Sequence, residues 1–443
     1  AWEEGVDDER VRRMMPSAIA RVRQQARVGV LSDAMADDRF CQAVARAVGA
    51  GETVKAAAGT IRFTPTAMFE QISGPSPGDL PMRLPGASSS NSVALLGDRL
   101  FLKLYRRLQV GPNPEVEVGR FLTEVAQFPN ASAVAGVVEY VGADEQVSTL
   151  AILQALTPNQ GDAWRYTLEY LERVLDKMKT QGPSSDPPEV RYAAFLELMA
   201  TLGRRTAELH LALATPSGDP LFEPEPITDA DVAAWAQSVQ EQATTTFDLL
   251  ARRIDSLSEI ARAGGRILLE RGRELLQERI GSGAWSGIGG LKTRYHADYH
   301  LGQVLMREND FVIIDFEGEP ARRPAERRAK ASPMRDVAGM LRSFNYASFA
   351  ALTRATTELQ ENVETLEPVA REWETETSRA FLNAYRSRVK GSPLYGDWSG
   401  AIRLLDLFLI EKALYELRYE LNNRPDWAPV PIRGLAALLT PAI

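Results

Sequence analysis

The sequence has almost no cysteine and almost no histidine: Cys41 is the single thiol among 443 residues, and there are three histidines. One thiol excludes an intramolecular disulfide framework and a zinc site built from several cysteines. No apolar stretch approaches the roughly 18 residues that a membrane-spanning helix needs. No secretory signal is recognisable either, so we expect a cytoplasmic protein.

A common nucleotide-binding signature and an excess of positive charge are missing as well. The chain contains no G-x-x-x-x-G-K-[ST] segment, which excludes a P-loop enzyme. The formal net charge is −8, which disfavours a general nucleic-acid-binding protein. A few placed lysines or arginines can still hold a small anionic ligand.

The length of the chain suggests two or three domains with sizeable cores. The sequence begins at Ala1, without an initiator methionine. Removal of the methionine and a segment of a longer polypeptide are both consistent with this start, and the sequence alone leaves the two open.

The order of patterns along the chain predicts a mixed fold. Apolar spacing predicts helices over 7–31 and 38–48, and a Gly-, Pro- and Ser-rich stretch over 73–92 indicates a loop or linker. Strand patterns then predominate up to residue 156, and long helical patterns follow. We therefore predict an α+β protein with an N-terminal helical cap segment, a β-rich N-lobe and a large helical C-lobe. These divisions are residues 1–75, 76–156 and 157–443.

A lysine and a glutamate stand out in the predicted β-rich lobe. Two apolar runs around a Gly-Asp turn predict a hairpin over 92–107, and Lys103 lies within its second strand. The next predicted helix begins with an Asn-Pro pair and carries Glu117. Each residue alone is most simply a solvated surface charge. Together they match the lysine–glutamate pair that holds nucleotide phosphates in kinase-like lobes.

A second group of polar residues surrounds a short hairpin in the helical part. His296 and Asp298 precede the hairpin, Gln303 lies at its start, and Asp315 follows its second strand. Kinase-like phosphotransferases need a loop aspartate at the acceptor hydroxyl, an amide oxygen at a metal, and a second aspartate at the same metal. Because one hairpin separates the two aspartates, we expect them to face one site.

Several segments together resemble the bacterial maltokinase family, in the form found fused behind a trehalose synthase. They are SSSNSVALLGDRLFLKLYRRLQVGPNPEVEVGRFLTE, NQGDAW, HADYHLGQVL, VIIDFEGEPARRPAERRAKASPMRDVAGMLRSF and LYELRYELNNRPDW. The resemblance implies a bilobal protein-kinase-like fold, similar to that of aminoglycoside phosphotransferases. It also implies ATP- and Mg²⁺-dependent phosphorylation of maltose at the anomeric hydroxyl. The product, maltose 1-phosphate, would feed glycogen synthesis from trehalose, and a fused or associated trehalose synthase is the implied partner.

The resemblance also implies a role for each candidate residue. Asp298 would be the catalytic aspartate and His296 its loop partner. Magnesium would be held by Gln303 and Asp315. The remaining roles concern ATP. Lys103 would bind the α and β phosphates, and Glu117 would orient that lysine. Further contacts with ATP are expected from Ser89, Ser90, Asn91 and Gln154.

One position departs from the family pattern. Ala297 stands where we expect a glycine between the histidine and the aspartate. Alanine is small, so the loop keeps its course unless this position requires a positive φ. Asp336, at the start of a later predicted helix, is expected to brace the catalytic loop.

The stretch YELRYELNNRPDW has aromatic and polar side chains at helical spacing. The simpler interpretation is a helix face packed on the core. Sugar sites also need aromatic faces and planar hydrogen-bonding groups, and this stretch supplies both. We therefore predict that Tyr415, Tyr419 and Arg424 contact maltose, with Asp298 at the reacting hydroxyl.

Two alternatives remain open from the sequence. The acceptor can be another small hydroxyl compound, as in aminoglycoside or choline kinases, because the acceptor site is read poorly from sequence. The chain can also be a non-catalytic kinase-like module attached to a synthase. The joint presence of Lys103, Asp298, Gln303 and Asp315 disfavours the second alternative.

Overall fold

The computed structural model describes residues 2–4, 14–25, 27–85, 91–182, 184–281, 285–320, 322–359 and 363–439. The chain forms two compact units, Ala1–Pro158 and Asn159–Ile443. The first unit is mainly β and the second is mainly helical, so the α+β class predicted from the sequence is confirmed.

Among its described residues, the first unit contains two antiparallel sheets and three α-helices. A three-stranded sheet has the order β1-β3-β2, and a seven-stranded sheet has the order β4-β5-β9-β10-β8-β7-β6. The strands are β1 Trp2–Glu4, β2 Ala18–Gln24, β3 Arg27–Ser32, β4 Thr53–Ala56, β5 Gly59–Pro65, β6 Met82–Arg83, β7 Ser92–Leu96, β8 Leu100–Leu104, β9 Val134–Gly142 and β10 Val147–Ala155. The helices are α1 Asp38–Ala50, α2 Phe69–Ser73 and α3 Pro114–Arg120.

The helix predicted over 7–31, within the cap segment 1–75, is wrong for residues 18–24 and 27–31, which are strands. Residues 18–32 form the hairpin β2–β3, which turns at Gln25 with a φ of 56°. Val22, Val28 and Val30 supply the β-branched side chains that suit a paired strand. Strand pairing therefore overrides the helical spacing of the apolar residues. The helix predicted over 38–48 is confirmed as α1.

The seven-stranded sheet explains how a lysine can lie inside an apolar strand. Leu100 and Leu102 of β8 belong to the core on the α1 side of the sheet. Tyr105 belongs to a separate buried cluster with Val116 of α3. Because alternate side chains of a strand point to opposite faces, Lys103 shares the α3 face with Tyr105.

The predicted division of the chain into three segments stays a prediction. Strands β4 and β5, which precede residue 75, pair in the same sheet as β7 to β10. The hairpin predicted over 92–107 is present as β7 and β8, with a turn at Gly97 whose φ is 59°.

The second unit consists of ten helices and two small β pairs among the described residues. The helices are α4 Ala163–Gln181, α5 Pro188–Arg191, α6 Ala193–Leu213, α7 Asp229–Arg253, α8 Glu259–Gly281, α9 Pro324–Arg327, α10 Met334–Leu359, α11 Val363–Val389, α12 Trp398–Asn423 and α13 Pro429–Leu439. The strands are β11 Glu225–Pro226, β12 Leu291–Lys292, β13 Val304–Arg307 and β14 Asp310–Ile313. The predicted hairpin after His296 is thus confirmed as β13–β14.

Helices α6 and α11 pack so closely that one backbone touches the other. A Cβ added at Gly203 of α6 would lie 2.3 Å from the backbone oxygen of Phe381 in α11. Phe381 itself is fully buried and contacts Phe344 of α10 edge-on. These packed helices form the base on which the polar loops of the second unit are built.

Among the described helices, none is both long enough and apolar enough to cross a membrane.

Replacing Gly203 by alanine should destabilise the protein by ~1–3 kcal/mol, because the new methyl group meets backbone that cannot rotate away. Alanine at Gly281 is the matched control, since its Cβ would meet only the Gln277 Cγ at 3.9 Å. At that position the substitution should leave the stability of the protein unchanged or raise it, because alanine has a higher helix propensity than glycine. Thermal unfolding of both variants measures the difference. Equal melting temperatures would contradict the close packing of α6 on α11.

Candidate active site

In the first unit, a buried ion pair lies on the α3 face of the sheet. The Lys103 Nζ donates to the Glu115 Oε2 at 2.8 Å, and the Tyr105 hydroxyl donates to the same oxygen at 2.5 Å. Both side chains of the ion pair are at least nine-tenths buried. The tyrosine therefore fixes the carboxylate that in turn holds the lysine ammonium.

The sequence analysis gave the role of lysine partner to Glu117, whereas the structure gives this contact to Glu115. Helix α3 begins at Pro114, with the Asn113 side chain accepting from the Glu115 amide at 2.8 Å. Glu115 then shares a buried helix face with Val118, three residues on, while Glu117 is only half-buried. Helical spacing alone does not separate the two glutamates, because Glu117 also lies three residues after the buried Pro114 and four residues before the buried Phe121.

The other predicted ATP contacts of the first unit are only partly described. Ser89 and Ser90 lie outside the described residues. The Asn91 Oδ1 accepts from the Arg106 backbone amide at 3.3 Å, so Asn91 is tied to the open end of the β7–β8 hairpin. Gln154 is buried on β10, directly opposite Phe101 of β8. Their roles toward ATP stay predictions.

In the second unit, one buried carboxylate holds the loop that carries Asp298. The Asp336 Oδ2 accepts from the His296 amide at 2.7 Å, and its Oδ1 accepts from the Ala297 amide at 3.0 Å. Asp336 is the third residue of α10 and is 2% exposed. The predicted bracing role of Asp336 is confirmed by these two hydrogen bonds.

Both ring nitrogens of His296 contact backbone groups. The His296 Nε2 lies 2.9 Å from the carbonyl oxygen of Ile314, so this nitrogen carries the proton and donates. The Nδ1 then accepts from the Asp298 amide at 3.4 Å. Through these two contacts, the His296 ring connects the loop to the end of β14. The residue is 1% exposed. The ring is placed to hold backbone, away from solvent.

Ala297 adopts a backbone conformation that favours glycine, so its departure from the family pattern has an energetic cost. Its φ is 69°, in the left-handed region. An L-residue costs roughly 1–2 kcal/mol in this region, which a glycine would avoid. The loop is nevertheless kept, because both the Ala297 amide and its neighbour are held by Asp336.

The Asp298 carboxylate faces a lysine and a histidine. The Lys412 Nζ of α12 lies 3.7 Å from the Asp298 Oδ1, and the His300 Nε2 lies 4.0 Å from the Oδ2. Burial lowers the pKa of His300, which favours the neutral ring. Lys412 is thus the cation at Asp298 among these three groups.

Gln303 and Asp315, the predicted magnesium ligands, are brought together. The Gln303 Nε2 donates to the Asp315 Oδ2 at 3.0 Å, and the two residues flank the β13–β14 hairpin. Asp315 has a φ of 67°, a conformation that aspartate tolerates better than most residues. An amide oxygen and a carboxylate are hard ligands, and their chemistry fits Mg²⁺.

A cleft of about 620 Å³ in the second unit contains all the predicted sugar-binding residues and Asp298. Its size lies within the range of small-molecule sites. Aromatic side chains supply much of its lining. These are Trp164, Tyr346, Tyr415, Tyr419 and Trp427.

The aromatic residues of the cleft are arranged in pairs. Tyr415 and Tyr419 stack with their ring centroids 6.5 Å apart, and Tyr346 and Trp427 stack at 6.3 Å. Arg424 lies over both Tyr419 and Trp427, at 5.3 Å and 5.2 Å from the ring centroids. Tyr419 is 43% exposed, so its ring is available to a ligand.

Lys412 and His210 are among the residues of the site that the sequence analysis missed. The Lys412 Nζ bridges Asp298 and the Glu319 Oε1, the latter at 3.1 Å. The His210 Nε2 lies 3.2 Å from the Asp336 Oδ2, while its Nδ1 lies 2.8 Å from the Tyr385 hydroxyl. Lys412 and His210 lie on helices that are distant from Asp298 in the sequence. The rarity of histidine was the one sequence feature that pointed to His210.

Exchanging Glu115 for glutamine should weaken the binding of Mg·ATP by about tenfold or more, since the neutral amide no longer holds the Lys103 ammonium in a buried site. The same exchange at Glu117 is the matched control on the same helix, and we expect an effect of less than about threefold. Calorimetric titration with Mg·ATP measures both. A larger effect at Glu117 would restore the original assignment.

Asp336→Asn should loosen the catalytic loop, because an amide group presents an N–H to one of the two backbone donors. We expect hydrogen exchange of the His296 and Ala297 amides to accelerate by about tenfold or more, corresponding to ~1–3 kcal/mol. Asp231→Asn, at the start of α7, is the control and should leave these amides unchanged. Unaltered protection in Asp336→Asn would remove the bracing role.

No protein-family model matches the chain. It is similar to the glucosamine kinase of Streptacidiphilus jiangxiensis, with 26% identity over 295 residues that cover 66% of this chain and 58% of that protein. It is also similar to the glucosamine kinase of Mycolicibacterium smegmatis, with 27% identity over 354 residues that cover 79% and 77% of the two chains. The chain thus spans less than two thirds of the length of the first relative and more than two thirds of the length of the second.

Solved structures give the same likeness in three dimensions. A glucosamine kinase in complex with glucosamine, ADP and inorganic phosphate superposes with a TM-score of 0.65 at 21% identity, covering 95% of this chain and 87% of that one. A second crystal form of a glucosamine kinase gives a TM-score of 0.66. At this identity the likeness establishes the fold alone. The chain has the α+β fold of these kinases, as the sequence predicted.

Proposed function

We propose that this chain is a sugar kinase that transfers the terminal phosphoryl group of ATP to the anomeric hydroxyl of maltose. The observation that carries the proposal is that Asp298 lines the same cleft as Tyr415, Tyr419 and Arg424. A carboxylate at the base of an aromatic-lined cleft suits a sugar hydroxyl as acceptor. The named glucosamine kinases support phosphoryl transfer to a sugar.

The residues of the second unit would orient the acceptor. The Asp298 carboxylate would accept the hydrogen bond of the reacting hydroxyl and take its proton as the bond to phosphorus forms. Asp336 and His296 would keep that carboxylate in place through backbone contacts. Most of the rate enhancement in such a site comes from position and charge, not covalent chemistry.

Different residues are proposed for the nucleotide phosphates and for the metal ion. In the first unit, the Lys103 ammonium would bind phosphate oxygens, and Glu115 and Tyr105 would keep it aligned. In the second unit, Gln303 and Asp315 would hold Mg²⁺. When bound, the metal neutralises negative charge on the phosphates. Each of these assignments is part of the proposal.

A disaccharide is favoured over a monosaccharide by the extent of the aromatic lining. The Tyr415–Tyr419 pair and the Tyr346–Trp427 pair are separate stacked surfaces within one cleft. One sugar ring would occupy the part near Asp298, and a second ring would reach the further aromatic faces. The resemblance of the sequence to maltokinases supports maltose, and with it a trehalose synthase as a fused or associated partner.

Glucosamine is the second candidate acceptor, because the named relatives are glucosamine kinases. It would need only one ring and would carry a protonated amine. The two candidates differ in size and in charge, so a single panel of acceptors separates them.

The test is ³¹P NMR of the chain with ATP, Mg²⁺ and a panel of maltose, glucose, glucosamine and a maltose analogue that lacks the anomeric hydroxyl. We expect a sugar 1-phosphate signal with maltose, little product with glucose, and none with the analogue. A phosphorylated glucosamine as the main product would replace the proposal with the second candidate.

Asp298→Asn provides the matched control for that experiment. We expect kcat to fall by about 10²–10⁴-fold, because a positioned acid–base group is lost. Affinity for Mg·ATP should stay within a few-fold of the wild type, since Asp298 is assigned to the acceptor. A wild-type chain that binds nucleotide yet phosphorylates neither a sugar nor another small hydroxyl compound, such as an aminoglycoside or choline, would be a non-catalytic module.

A further inference from the structure

The acceptor cleft contains several carboxylates, and each is matched by a positive charge. Four carboxylates line it, namely Asp298, Glu319, Glu416 and Glu420. The Glu416 Oε2 accepts from the Arg342 Nε at 2.8 Å. The Glu420 carboxylate accepts two hydrogen bonds from Arg424, at 3.0 Å and 2.7 Å. These two carboxylates are therefore already neutralised by arginine.

The remaining two carboxylates share one lysine. The Lys412 Nζ lies 3.1 Å from the Glu319 Oε1 and 3.7 Å from the Asp298 Oδ1. Arg322 adds a second cation to Glu319, with its Nε 2.9 Å from the Oε2. Lys412 lines the cleft with its side chain 26% exposed, so its charge faces any acceptor next to Asp298.

Lys412 is held in its charged form. Burial opposes the charge, but the Glu319 and Asp298 carboxylates outweigh burial and raise the pKa of Lys412 above its usual range. The cleft thus presents a permanent ammonium beside the carboxylate that would receive the acceptor hydroxyl.

We propose that Lys412 is a specificity-determining residue that excludes acceptors with a protonated amine and admits neutral sugars. The inference rests on the proposed sugar kinase activity and concerns the same cleft. It predicts that this chain disfavours glucosamine, which is named in the descriptions of its relatives, because glucosamine carries an ammonium group where glucose carries a hydroxyl.

The physical basis is repulsion combined with the lack of an anionic partner. Two like charges within a few ångströms in a partly buried site repel strongly, since the surrounding dielectric is lower than that of water. The carboxylates that would otherwise attract an amine are engaged with Lys412, Arg342 and Arg424. An amino sugar near Asp298 would meet the ammonium of Lys412 without a net negative charge to compensate.

Removal of the lysine reverses this balance. With an apolar side chain at position 412, the Asp298 carboxylate loses its cation and Glu319 keeps only Arg322. The region around the reacting hydroxyl then becomes net negative. A protonated amine should be attracted to that region.

The experiment compares glucose with glucosamine, which differ at one substituent, on the full chain at pH ~6.5, where the amine is protonated. The quantities are kcat/KM with ATP and Mg²⁺ and the dissociation constant of each sugar by NMR titration. The variants are Lys412→Met, which removes the charge, and Lys412→Arg, which keeps it. Lys292→Met is the matched control, because that lysine also bridges two carboxylates, Asp231 at 2.8 Å and Glu225 at 3.5 Å, outside the cleft.

We expect the wild type to prefer glucose to glucosamine by about tenfold or more, as like-charge repulsion requires. Lys412→Met should abolish or invert this preference, whereas Lys412→Arg and Lys292→Met should retain it. If Lys412→Met loses turnover, the ratio of the two dissociation constants gives the same test.

Two results would overturn the inference. The first is a wild type that uses or binds glucosamine as well as glucose. The second is an unchanged preference in Lys412→Met. Failure of the proposed function is recognised separately, as a wild type that phosphorylates neither maltose nor any other sugar of the panel.

Discussion

The second unit depends on one buried carboxylate that accepts two consecutive backbone amides. Asp336 holds the amides of His296 and Ala297, and through them it fixes the direction of the Asp298 side chain. A buried carboxylate with good hydrogen-bond partners is stable, whereas one that loses a partner is costly. The strained Ala297 is tolerated because this anchor supplies more stabilisation than the left-handed conformation costs.

Other buried charges of the second unit are likewise stabilised by a partner, in their case one of opposite charge. Buried charges are retained where each has an opposite partner, as in Arg342 with Glu416. The segment over 322–330, a dense run of arginine and lysine in the sequence, follows this rule and is not simply a solvated face. Arg322 contacts Glu319, and Lys330 contacts Glu225 and two backbone carbonyl groups. The run thus ties the chain after Asp315 to surrounding elements.

Much of the fold could be predicted because its signals are local. The hairpin β7–β8 follows from a Gly-Asp turn between apolar runs, and α3 from an Asn-Pro start. The strands β2 and β3 could not be predicted from helical spacing, since their pairing is decided by contacts between strands. Asp298, Gln303 and Asp315 could be selected from the sequence as candidates because one short hairpin separates them, and their roles stay predictions. Lys412 could not be selected in this way, because it reaches Asp298 from a helix more than a hundred residues later.

The position of Lys412 links two properties that an enzyme would benefit from adjusting separately. The same ammonium lies beside the carboxylate assigned to the acceptor proton and lines the cleft proposed for the acceptor. A substitution that admits a different class of acceptor therefore also removes the cation that lies beside that carboxylate. Divergence of acceptor preference within such a cleft would proceed more easily through paired substitutions, in which a second residue restores the charge at Asp298.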